Sequence, residues 1–233
     1  MLVKACWICG EVADSREHII KKTDVESVFG SGSYQGRLIR QRTVGQKGYS
    51  LIQGPNSSNL KYLQNICRHC NGAKTQPFDN AYEELINYLI DNYNRVRDDG
   101  QLNFKLIYGK DRKKVFQQKM FKYLIKAFGC RLDSSNIRVP DELIAAINGL
   151  NYGTSMSVSL QLCFKKIEAA GSGHLLKARY SHEPFDRYLW WFHTGPFFFN
   201  FAYNTEMPVE YGNGFYAKKK YWPISILQED QKD

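Results

Sequence analysis

Between positions 78 and 93 the apolar residues Phe78, Tyr82, Leu85, Ile86, Leu89 and Tyr93 recur every three or four places. That spacing buries one face of a helix. The helix is expected to start near 71–79 and to end in the polar run NRVRDDG with Gly100. A second stripe, Val115, Phe116, Leu124, Ala127 and Phe128, predicts another helix, terminated by Gly129, with lysines over its opposite face. Pro140 and Asp141 open a short helix, DELIAAIN, closed by Gly149. From Met156 the period changes to two. Met156, Val158, Leu160, Leu162 and Phe164 alternate with small or polar residues, as in a half-buried strand. HLLKARY, RYLWWFHT, PFFFNFAYN and KKYWPISIL continue as strands, broken at Gly195-Pro196 and at 212–214. An antiparallel sheet packed on the two helices is expected.

The region before the first helix has little apolar periodicity. A short strand pair is expected around Ala13 and Ile19, then strands at 35–43 and 49–52 within a Gly-, Ser- and Gln-rich stretch from Gly30 to Ser58. Such loop-rich sequence packs little core of its own. The chain therefore divides into an N-terminal unit, 1–100, and an α+β unit of helices and antiparallel sheet, 101–233. With 43% hydrophobic and 14% aromatic residues it belongs with folded globular proteins. No run of eighteen apolar residues occurs, and the start MLVKACWICG is no signal peptide. These features predict a soluble, cytoplasmic protein without a membrane partner. In that compartment the six cysteines read as metal ligands and free thiols rather than disulfides. Cys130 and Cys163 stand alone and are read as packed thiols.

The net charge of +9 is unevenly placed. From Ser27 to Phe78 there is no Asp or Glu, while Arg37, Arg40, Arg42, Lys47, Lys61, Arg68 and Lys74 fall there. A second basic cluster holds Lys105, Lys110, Arg112, Lys113, Lys114, Lys119, Lys122, Lys126 and Arg131. Closely spaced cations displace condensed counterions from a nucleic-acid backbone, so a polyanionic partner is favoured.

The most specific signal is a pair of C-x2-C knuckles, Cys6/Cys9 in ACWICGE and Cys67/Cys70 in NICRHCN. Two such knuckles supply the four thiolates of a closed tetrahedral zinc site, which leaves no position for substrate and is therefore structural. His69 is a spacer in the second knuckle rather than a ligand. CWIC, then SREHII, then CRHCN, then Lys74 resembles the HNH endonuclease family over roughly residues 1–95.

The resemblance implies a ββα-metal core, zinc-braced, that hydrolyses phosphodiester bonds with one divalent cation, Mg²⁺ or Mn²⁺. Matched position by position, His18 is the general base that activates water. Glu17, before it, is a ligand of the catalytic cation, and Asn71, after the last cysteine, is the second protein ligand. The middle Asn of the family motif has no match in register; Asn59 is the candidate to orient His18, with Asn65 three residues past the register position. Arg16, Lys21 and Lys74 are candidate phosphate contacts, joined on charge grounds by Arg37, Arg40, Arg42, Lys113, Lys114 and Lys122. His174, His182 and His193 lack a nucleophile or carboxylate partner and read as core or surface residues. Trp190, Trp191 and Phe197–Phe199 read as sheet core or a partner interface, with base stacking as the alternative.

The reading that results is a metal-dependent HNH endonuclease acting on DNA, with RNA as the alternative substrate. Family relatives set the expectation of an anti-phage defence or mobile-element context. Its rivals are a zinc-dependent nucleic-acid-binding protein that cuts nothing, and a scaffold subunit whose aromatic-rich C-terminal unit docks a protein partner.

Overall fold

The alternation along 156–163 and 197–204 has its physical cause in a sheet with one face packed on helices. A computed structural model describes residues 4–36, 39–41, 49–149, 154–178, 187–204 and 221–227. Strands β4 (Met156–Cys163) and β8 (Phe197–Asn204) bury every second side chain. They pair antiparallel, and β8 pairs antiparallel with β7 (Arg187–Thr194). Among the described residues the sheet is seven-stranded, in the order β3-β9-β4-β8-β7-β5, with β6 also on β7. Here β3 is Gln101–Asn103, β5 Ala170–Ser172, β6 Leu176–Ala178 and β9 Tyr221–Leu227. The expected all-antiparallel sheet is corrected in one respect: β9 runs parallel to β4, so the sheet is mixed. Alternation reports which face is buried, not which way a neighbour runs.

Two long helices cover the buried face. Helix α2 (Gln76–Asp91) begins with Pro77 in its first turn and turns Phe78, Ala81, Tyr82, Leu85, Ile86 and Leu89 inward. It follows a π-helical turn, Cys70–Lys74, at the expected start. NRVRDDG does not simply end it: the chain turns at Asn92 and resumes as α3 (Tyr93–Asp99), which Gly100 closes in the left-handed conformation at φ 61°. Helix α4 (Phe104–Ser134) is interrupted at Gly109 and runs straight through Gly129. Gly129 is not a terminator. A methyl group there would lie 2.6 Å from the Trp7 ring, so the missing side chain makes room for the first knuckle. Helix α5 (Asp141–Ile147) follows as expected. One buried core runs from Cys6 and Trp7 through α2 and α4 to Trp222 and Ile224, continuous across Gly100. Within it Tyr82 stacks on Tyr123 at 3.9 Å, and Phe128 stacks on Phe201. The aromatics Trp190, Phe192, Phe197 and Phe199 are sheet core, whereas Trp191 lies 38% exposed on the other face. His193 is buried, and His174 is exposed on the surface.

The insert between the two cysteine knuckles has its own small core, Ile20, Val25, Tyr34, Ile52 and Leu60. It contains a helix that the sequence reading lacked, α1 (Lys22–Phe29), and a minimal ladder of β1 (Arg40–Gln41) with β2 (Ser50–Leu51). Asp24 of α1 fastens this insert to the main core. Its buried Oδ2 accepts hydrogen bonds from Tyr82 Oη of α2 at 2.7 Å and from Thr194 Oγ1 of β7 at 3.0 Å.

Burial pushes the Asp24 carboxyl up to about 7, against the pull of those two bonds and of Lys21. A carboxyl whose folded pKa lies above its unfolded value keeps its proton longer in the native state, so stability falls between about pH 4 and pH 7 and is flat above. Asp24→Asn preserves the shape and removes that titration. Relative to wild type it is expected to gain on the order of 4 kcal/mol between pH 4 and pH 8 in urea denaturation. An equal difference at both pH values would contradict the assignment.

Candidate zinc centre and the His18 strand

Residues 4–13 form a tight turn because Gly10, at φ 83°, can accept a left-handed conformation. Cys6 N donates to Glu11 O at 2.6 Å and Gly10 N to Cys6 O at 2.8 Å, which closes the first knuckle. In the second, Cys70 N donates to Cys67 Sγ at 3.4 Å and Asn71 N to Cys67 O at 2.8 Å. The knuckles are tied by Asp14, which accepts from the Arg68 backbone at 2.8 Å and ion-pairs with its guanidinium. Trp7 seats the first knuckle on α4, donating from Nε1 to Cys130 Sγ at 3.4 Å.

This folding brings Cys6, Cys9, Cys67 and Cys70 together, with every sulfur within 4.8 Å of the others. The Cys9 and Cys67 sulfurs are 3.7 Å apart. A tetrahedral zinc with Zn–S near 2.3 Å needs sulfurs about 3.8 Å apart, so the donor set fits. Burial pushes the Cys6 and Cys70 thiols up, whereas at Cys67 burial is outweighed by hydrogen bonds from Cys70, Cys9 and Cys6, which pull its thiol down; a bound cation would displace the protons that remain. These four cysteines can hold a metal ion such as zinc. His69 is exposed and lies outside the cluster.

Beside the cluster runs the segment that carries His18. Residues 15–19 lie antiparallel to 60–66, through bridges Ser15 to Ile66 and His18 to Lys61. Ser15 N donates to Ile66 O, Ile19 N to Leu60 O and Tyr62 N to Glu17 O, all at 2.8–2.9 Å. Asn71 stands on the π-helical turn, and its Nδ2 donates to Ser15 Oγ at 2.9 Å.

Glu17 and His18 line a cavity of about 10 Å³ with Lys21, Tyr123, Lys126 and Phe192. That volume is at the lower limit for one water. Lys126, on the face of α4 expected to carry solvated lysines, is only 2% exposed. Its Nζ lies 2.9 Å from Glu17 Oε2 and 3.3 Å from Asp79 Oδ2. Lys21 adds 3.3 Å contacts to Asp79 and Glu83. Although burial opposes the charge, Glu17 and Asp79 hold the Lys126 ammonium well above its usual range. Removing one partner of such a buried pair costs about 3–5 kcal/mol.

His18 sits in the field of these cations. Burial first, then Lys61, Lys21, Lys126 and Lys22, lower its imidazole to about 4. Its Nε2 is buried without a hydrogen-bond partner among the described residues.

Asn59 is exposed on a 3-10 turn, Ser58–Leu60, while Asn65 is buried and donates to Cys130 O at 3.2 Å. The Arg16 guanidinium donates to the carbonyls of Tyr62, Ser58 and Lys61. Lys74 donates to Asn148, and Lys122 lies over the Phe78 ring. Lys114 is exposed and Lys113 half-buried. Arg37, Arg42, Lys47 and His182 lie outside the described residues, as does the Arg40 side chain. Among the described residues the cysteines are the one group of three or more His, Cys, Asp or Glu donors close enough to share an ion. Glu17 Oε2 is taken by the Lys126 ammonium, so the pair implied for Mg²⁺ or Mn²⁺ does not fit a cation at its Glu17 end as it stands; Asn71 donates its Nδ2 to Ser15, a bond that does not involve its ligand atom, Oδ1. Lys126, Asp79 and Asp24 escaped the sequence reading; the one signal was a lone Asp within an otherwise apolar stripe at 79.

No family model, curated protein or solved structure matches the chain.

The zinc assignment predicts about one zinc per chain by elemental analysis, and loss of the ion from Cys67→Ser. A folded, metal-free wild type would overturn it.

Proposed function

We propose that this chain is a zinc-braced HNH-type nuclease that hydrolyses phosphodiester bonds in DNA, with His18 as the base that activates water. The observation that carries the reading is the juxtaposition at residues 15–19. A strand bearing an imidazole with a buried, unpartnered Nε2 is paired to 60–66, a segment that runs on into a helical turn carrying Asn71, beside a cluster of four cysteines. In this reading the zinc is structural, because four sulfurs close its coordination shell.

At neutral pH the His18 imidazole is uncharged and can accept a proton from water. Its low pKa makes it a weak base in the free protein, since the imidazolium would form among lysines. A bound phosphodiester brings negative charge into that field and raises the basicity of His18 when substrate is present. Lys61 stands across the strand pair from His18 and would meet the phosphate in this reading. The basic surface would add sequence-independent affinity. The Lys126 ammonium already meets Glu17 Oε2, so no step of this reading runs through a divalent ion at Glu17.

The Glu17–Lys126 pair and the small cavity favour a second reading, a nucleic-acid-binding protein that does not cut.

Nicking of supercoiled plasmid, with Mg²⁺ or Mn²⁺ present, separates the two. Wild type is expected to cut and zinc-loaded His18→Ala to lose about 10²–10⁴-fold, the usual contribution of a positioned base. The acid limb of kcat/KM should fall near the free-protein pKa, well below the usual histidine value. Equal cutting by both proteins removes His18 as the base; binding without cutting by either selects the second reading.

A further inference from the structure

We infer that Lys126 occupies the place of a divalent cation at Glu17, so that the charge beside His18 is built into the chain rather than recruited from solution. The inference rests on the nuclease reading only for the purpose of that charge; the occupancy of the site stands on geometry. Glu17 Oε2 and Asp79 Oδ2 come from a strand and a helix far apart in sequence, and they converge on one ammonium at 2.9 and 3.3 Å. Lys126 is 2% exposed, lies within the core-facing surface of α4, and lines the same cavity as Glu17 and His18. Two carboxylates converging on one buried cation is the arrangement oxygen ligands make around a hard metal ion. Here a single fixed positive charge satisfies them, and Lys21 holds the outer edge of Asp79.

A cation entering from solution would have to displace an ammonium whose desolvation is already compensated by two carboxylates. Lys126 is thus a positioning residue. It holds the Glu17 carboxylate away from ligand duty and ties the residue before His18 to α4. It also places a helix of the C-terminal half in control of the candidate site.

The test is Mn²⁺ binding to the zinc-loaded full chain, followed by the electron paramagnetic resonance of free Mn²⁺, which a merely structural lysine would not move. Wild type is expected to bind no Mn²⁺ tighter than about 1 mM, the weak end of protein cation sites. Zinc-loaded Lys126→Met is expected to acquire one Mn²⁺ per chain, and Lys126→Met with Glu17→Gln to lose it again. Lys126→Gln serves where the Met variant fails to retain zinc. One tight Mn²⁺ in wild type, abolished by Glu17→Gln, overturns the proposal without any variant at 126. Absence of Mn²⁺ from both wild type and the folded Lys126 variants also overturns it, because something other than Lys126 then closes the site. A failure to cut plasmid strikes the nuclease reading and leaves the Mn²⁺ count unaltered, so the two can fail separately.

Discussion

Four cysteine sulfurs that can share one metal ion join the two ends of a part of the chain that is otherwise held by a few polar ties and a small core. Among the described residues the segment from Gly30 to Ser58 contributes only a few buried side chains, and the strand at 15–19 meets its partner through isolated bridges rather than a long ladder. Such a pair would be marginal alone. The knuckles change this by fixing residues 6–9 to 67–70, which places Ser15 opposite Ile66 and His18 opposite Lys61. Zinc capture contributes an apparent ~10–16 kcal/mol in zinc-finger peptides, ample for a segment of this kind.

The second support comes from α4. Trp7 rests against Gly129, and Lys126, one turn earlier, reaches Glu17. A buried ammonium is tolerable only with its partners present, so α4, the His18 strand and Asp79 of α2 must assemble together. Asp24 makes a parallel link from the insert to Tyr82 and Thr194. The N-terminal motif and the C-terminal helix and sheet therefore meet through specific polar contacts as well as through one apolar core.

The parts that could be read from sequence were those with local causes. Period-two alternation located β4, because a half-buried strand must alternate, and the aromatic-rich runs that continue it located β7 and β8; the 3.6 period located α2. The cysteine cluster was legible from spacing, since C-x2-C is set by the turn itself. What escaped depended on distant partners. Gly129 looked like a helix end and is a contact site for Trp7. Lys126 looked like surface because a lysine is buried only when two carboxylates elsewhere in the chain meet it. The parallel pairing of β9 with β4 likewise leaves no trace in the pattern of either strand.

The central claim is that the cysteine cluster sets the register of the His18 strand. Amide hydrogen exchange before and after gentle zinc removal tests it most directly, read at Ser15, Ile19 and Tyr62, whose N–H groups bridge the pair. These amides are expected to lose protection when zinc leaves, while those joining β7 and β8 stay protected. Unchanged protection at Ser15, Ile19 and Tyr62 in the zinc-free chain would contradict the account.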